Sequence, residues 1–203
     1  FPIAESDMVC DPINMPDHWP RICGLDFGWD HPTAAAWAAW DRDSDIIYIY
    51  DTYAMSQEAV PIHASAVKAR GQWIPVIWPM DGRQADKGSG KSLTEQYRNE
   101  GVNMTREHFT NPPQRGQKEN TGGISVEAGV QEMYTRFMTN RLKIFNNQSK
   151  LLEELRMYHR KDGKIVFKHD DVISAARYAV MSVRKARVKN YEPKQLYSDS
   201  SFN

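Results

Sequence analysis

Three apolar runs crowded near the start constrain this chain most: 21-RICGLDFG-28, 33-TAAAWAAW-40 and 46-IIYIYDTY-53. Each is short and apolar or alternating, and each is followed by glycine or polar turn residues, which reads as strand. The links between them fall far short of the dozen or more residues that a parallel crossover needs. Strands joined this way form an antiparallel meander, with 41-DRDSD-45 as its hairpin turn.

The elements that follow are of a different kind. Residues 56–70 have helical character and are closed by Gly71. Ser56 is the first N-cap candidate, but Pro61 suits a first turn and favours a later start. The run 74-IPVIWPM-80 is a strand that ends at Asp81. In 92-SLTEQYRNE-100, Ser92 and Glu95 have the spacing of a capping box, and Gly101 stops the helix. With a short strand at 102–104 the order is β-β-β-α-β-α-β, which predicts an α/β fold: a mixed sheet with helices on both faces. Further on, Val126, Val130, Met133 and Phe137 share one helical face, 141–145 is a strand and 149–158 a helix. A hairpin over 158–169 turns at Asp162-Gly163, and a last helix runs from about Asp171 to Lys189. Its residues Ala175, Ala176, Ala179, Val180 and Val183 are expected to pack inward.

Composition narrows the functional classes. The 203 residues carry 26 Lys and Arg against 26 Asp and Glu, so any nucleic-acid site must be a local patch. Two cysteines do not make a disulfide framework, and Cys23 reads as a small core hydrophobe, which suits a reducing compartment. No apolar run approaches a membrane span, so no membrane partner is expected. Residues 1–20 are Pro- and Asp-rich without periodicity and read as a linker; 190–203 read as a loose tail, leaving one domain over 21–189.

Carboxylates fall where that domain's elements end. Asp26 sits inside an apolar strand, where a charge is costly unless paired or metal-bound. Asp81 closes the fourth strand, and strand ends of open α/β sheets are where ligand sites gather. Asp170 and Asp171 head the last helix. Acidic residues from three such places make an oxygen-only site for a hard divalent cation such as Mg2+. Two such ions about 4 Å apart can activate water and stabilise a leaving oxygen in phosphodiester cleavage. Each aspartate also has a plainer role to weigh: Asp170 or Asp171 as N-cap, Asp81 as turn residue, Asp26 as a hydrogen-bonded core group.

The strand order, with 24-GLDFGWDHPTAAAW-37, 76-VIWPMDG-82 and 169-HDDVISAARYAV-180, resembles the ribonuclease H-like nuclease domain of tailed-phage terminase large subunits. The match runs from about Arg21 to Arg187, and the HDD string is its most specific part. The resemblance implies a metal-dependent DNA endonuclease that cuts concatemeric viral DNA during packaging, with two Mg2+ or Mn2+ ions. It implies Asp26, Asp81 and Asp171 as the catalytic carboxylates, with Asp170 as cap or further ligand. Many relatives carry an acid where this chain has Ser174, which leaves Asp170 and Asp171 as alternative third ligands. The partners implied are double-stranded DNA, an ATPase motor domain on the same polypeptide, a small terminase subunit and the capsid portal. The isolated domain is expected to be monomeric, and the whole to work in the host cytoplasm, transiently at the procapsid portal.

For holding DNA, the run 156-RMYHRKDGKIVFKH-169 offers Arg160, Lys161, Lys164 and Lys168, and His169 is a candidate neighbour of the metals. The loop 85-ADKGSGKSLTEQ-96 imitates a phosphate-binding P-loop, but Ala85 stands where the first glycine is required. It is read as an active-site loop that meets DNA phosphate through Lys87 or Lys91. Competing readings are another ribonuclease H-like nuclease such as a resolvase or transposase core, an actin-like or sugar-kinase-type ATPase suggested by GLDFG, and a non-catalytic docking module.

Overall fold

The structure is a computed structural model that describes residues 2–84, 90–112, 123–162, 164–165 and 169–189. The expected meander is present: β2 (Arg21–Asp26), β3 (Thr33–Asp41) and β4 (Ile46–Met55) pair antiparallel. The 41–45 turn closes with Asp45 in the left-handed region at φ 53°, a conformation Asp tolerates. With β1 (Val9–Cys10), β5 (Val76–Ile77) and β6 (Leu142–Phe145), the sheet has six strands in the order β1-β6-β4-β3-β2-β5. The pairs β1–β6, β6–β4 and β5–β2 are parallel, so the sheet is mixed.

The two faces of this sheet follow from strand alternation. Ile22, Ala34, Ala36, Ala38, Ile47 and Ile49 look to one side, where α4 (Val126–Met138), α5 (Ser149–Met157) and α6 (Asp171–Met181) cover them. Cys23, Leu25, Ala35 and Trp37 look to the other, against α2 (Val60–Ala69) and α3 (Leu93–Asn99). The alanines of β3 are fully buried, and their small side chains let α6 lie close across β2 and β3. Met133 and Phe137 of α4 enter the core, as do Ala175, Ala176, Ala179, Val180 and Val183.

Several boundaries differ from the sequence reading. Helix α2 starts at Val60, with Pro61 in its first turn and Ala59 rather than Ser56 as N-cap. Ser92 and Glu95 do form the capping box of α3. Residues 102–104 contribute only a bridge from Met104 to Val76, not a strand. The last helix ends at Met181 rather than near Lys189; a short 3-10 turn follows, and Arg187 returns to bridge Arg21. The stretch read as a linker is partly built into the fold. It supplies α1 (Glu5–Met8) and β1, buries Met8 at 5% exposure and ties Glu5 to Arg156. Hydrophobic periodicity cannot reveal a strand of two residues.

Candidate metal-binding carboxylate site

The site forms at one end of β2, where β2, β5 and α6 converge. Gly24 and Asp26 face α6, while Leu25 belongs to the opposite core cluster. At Gly24 the approach is so close that a Cβ would fall 1.9 Å from the Ala175 carbonyl oxygen. The missing side chain therefore sets the depth at which α6, with Asp171 in its first turn, crosses Asp26.

Asp81 reaches the same edge because β5 lies parallel beside β2 and then enters a 3-10 turn over Met80–Arg83. Its turn is held from both sides: Thr94 Oγ1 donates to the Gly82 carbonyl at 2.8 Å, and a Cβ at Gly82 would meet the Phe27 ring at 2.5 Å. Asp170 occupies the N-cap position of α6 but makes no capping bond with its side chain. That role falls to Glu154 of α5, whose Oε2 accepts from the backbone N–H of Val172 at 2.9 Å and of Ile173 at 3.0 Å. The carboxyls of Asp170 and Asp171 are thereby left to the site. His169, just before them, is exposed and has a left-handed φ of 54°.

The electrostatics bind these aspartates into one group. Burial, followed by the charges of Asp81 and Asp171, pushes the Asp26 carboxyl up to about 7, against the pull of Arg177 and of the Tyr178 hydroxyl, which donates to it. Burial also raises Asp81, and burial followed by the charge of Asp171 raises Asp170. Among the described residues no three His, Cys, Asp or Glu side chains close into a ready set of metal ligands. Like charges facing one another repel, and drawing them to coordinating distance takes a cation. The donors are oxygens from rigid elements at a partly open edge, and this fits a hard divalent ion.

The DNA-contact candidates stand differently. Arg160, on β7 (Arg160–Lys161), pairs with β8 (Lys164–Ile165) as the expected hairpin, and its guanidinium is engaged by Glu127 at 2.5 Å. Lys161 and Lys91 are exposed. Lys87 and Lys168 and the side chain of Lys164 lie outside the described residues. Three residues of the site escaped the sequence reading: Glu154, Arg177 and Tyr178. Glu154 left a signal, an acid among the leucines of an apolar helix face, with Leu151, Leu152 and Leu155 as its buried neighbours. Arg177 and Tyr178 stood inside the HDD string without being assigned a task.

Comparison with known proteins shows the family and the fold. The Terminase RNaseH-like domain profile matches residues 23–183. The chain is 40% identical over 189 residues to the large terminase subunit of Salmonella phage P22, covering 93% of this chain and 36% of that protein. The chain therefore spans about a third of the length of that relative. The P22 large terminase nuclease domain superposes with a TM-score of 0.82 at 40% identity, covering 93% of each chain. The phage SPP1 large terminase nuclease domain, solved with bound Mn, gives a TM-score of 0.56 at 18% identity over 85% of this chain and 93% of its own, a likeness of fold. The ribonuclease H-like architecture and the 40% identity together show that the chain belongs to the family of phage large-terminase nuclease domains.

Proposed function

We propose that the domain is an Mg2+- or Mn2+-dependent endodeoxyribonuclease that cuts concatemeric double-stranded viral DNA during genome packaging, with little sequence preference. The observation that carries this reading is the convergence of Asp26, Asp81 and Asp171 from three separate elements into one electrostatically coupled group. Asp26, Asp81 and Asp171 would hold the ions, with Asp170 as a further or alternative ligand. Bound there, two hard cations would supply charge stabilisation for the phosphorane-like transition state and acidify water at neutral pH.

The chain's own residues do the positioning. Tyr178 fixes the Asp26 carboxyl by its hydroxyl, Glu154 pins the head of α6, and Gly24 sets how closely Asp171 approaches Asp26. The partly exposed edge leaves the aspartates open to a phosphodiester backbone. Manganese in the SPP1 domain supports a divalent ion here. The chain also matches 43% of a large terminase from a thermophilic bacteriophage, solved in complex with ATP-gamma-S, which supports an ATPase motor elsewhere on the same polypeptide. Small terminase subunit, capsid portal and a cytoplasmic site of action complete the proposal.

The test is plasmid cleavage in Mn2+ or Mg2+, with and without chelator, beside Asp26→Asn. Metal-dependent nicking and linearisation that the substitution lowers at least about a hundredfold is the expected result. Cleavage that persists in chelator, or that survives Asp26→Asn unchanged, would overturn it.

A further inference from the structure

Arg177 has no task in the reaction just described, yet it stacks on Tyr178, whose hydroxyl donates to Asp26. Arg177 is 3% exposed, and Nη1 has no hydrogen-bond partner among the described residues. An enclosed guanidinium with an unmatched donor is expensive unless something offsets its charge. Three features hold it in place. Its stem passes α4 where only glycine fits, since a Cβ on Gly129 would lie 2.5 Å from the Arg177 Cδ. Its guanidinium stands 4.6 Å from the Tyr178 ring centroid and 5.4 Å from that of Phe109, in cation–π range of both. Those two rings pack against each other at 4.8 Å.

This clamp aims the charge at the site. Asp170 and Arg177 lie two turns apart on one side of α6. The positive charge of Arg177 is felt at both Asp170 and Asp26, and the Tyr178 it stacks against donates to Asp26. We infer that Arg177 is a positioning residue that serves as a resident counter-cation: it balances the aspartates while the site is free of metal, and by repulsion it weakens their hold on divalent ions. The inference rests on the divalent-ion reading given above.

The experiment measures Mn2+ binding by calorimetry, and thermal unfolding with and without Mn2+, for the wild type, Arg177→Met, Arg177→Gln and Arg177→Lys. The neutral variants are expected to melt lower than wild type without metal and to bind Mn2+ about fivefold tighter or more, because a like charge close behind the carboxylates has been removed. Arg177→Lys should stay within about twofold of wild type, since the charge is kept. Adding Asp170→Asn to Arg177→Met should return part of the lost metal-free melting temperature. Neutral variants that bind Mn2+ no more tightly than wild type overturn the inference, as does Arg177→Lys behaving like Arg177→Met. If both neutral variants unfold, their recovery in Mn2+ supports the inference and failure to recover refutes it. Wild type and neutral variants that all take up no Mn2+ defeat the metal assignment instead, and the Asp170→Asn rescue then decides the counter-charge role by itself.

Discussion

Asp26 and Gly24 are one strand pleat apart and do opposite work. The carboxyl of Asp26 is held at a pKa of about 7 by burial and by its acidic neighbours, so ionising it costs the folded state free energy. Asp26→Asn should therefore leave the metal-free protein melting at the wild-type temperature or above it at pH 8, while removing metal-dependent cleavage. A differential-scanning measurement beside the plasmid assay checks both halves, and a large fall in melting temperature would contradict the electrostatic account. Gly24 is intolerant for a steric reason. With backbone 1.9 Å from the position of any Cβ, Gly24→Ala must push α6 off the sheet, at a cost of about 3 kcal/mol or more in urea unfolding. The sequence showed Asp26 as an anomaly because a charge interrupts an apolar strand. It held no comparable sign at Gly24, since the crowding comes from a helix some 150 residues away in the chain.

Helix α6 carries its aspartates at the end where its own first N–H groups need acceptors, and a carboxylate from another helix meets that need. Burial first, then the charge of Asp171, pushes Glu154 up to about 7 from the ordinary 4.5. Between those two values the folded chain keeps a proton that the unfolded chain has lost. The stability contributed by neutral Glu154 is thus whole below pH 4.5 and is lost as the pH rises toward 7. Glu154→Gln keeps an acceptor for both N–H groups and should flatten the fall in stability between pH 5 and pH 7, read from urea midpoints across that range. Glu154→Ala leaves the helix head uncapped and should cost about 1–2 kcal/mol at pH 5, a cost that shrinks as the pH rises toward 7 and the wild type loses the contribution of its neutral carboxyl. The capping box of α3 was legible because both partners lie within one turn. The cap of α6 was not, because its partner is 18 residues away on another helix, and an N-cap aspartate looked sufficient by itself. The basic hairpin was legible as a hairpin, but Glu127 engages Arg160, which no reading of the hairpin alone could show.

At the scale of the whole molecule, the sheet is assembled from pieces far apart in sequence, and its outer edge is the most remote. β1 joins β6 through Val9 beside Ile144 and Cys10 beside Phe145, Met8 enters the core, and Glu5 grips Arg156 with two contacts of 2.7 Å. Deleting residues 2–11 should therefore destabilise the domain by about 2 kcal/mol or more and expose the β6 edge to self-association, read from urea unfolding and sedimentation. Unchanged stability would mean that this segment is a passenger. The sequence by itself determined the meander, the α/β order and the carboxylates worth attention, because hydrophobic period, turn chemistry and a charge inside an apolar strand are local signals. Only the tertiary structure decided that those carboxylates share one edge, that Glu154 rather than Asp170 caps α6, and that a buried arginine stands behind them. Each of these depends on contacts between distant elements, where packing and mutual charge, rather than local propensity, set the outcome.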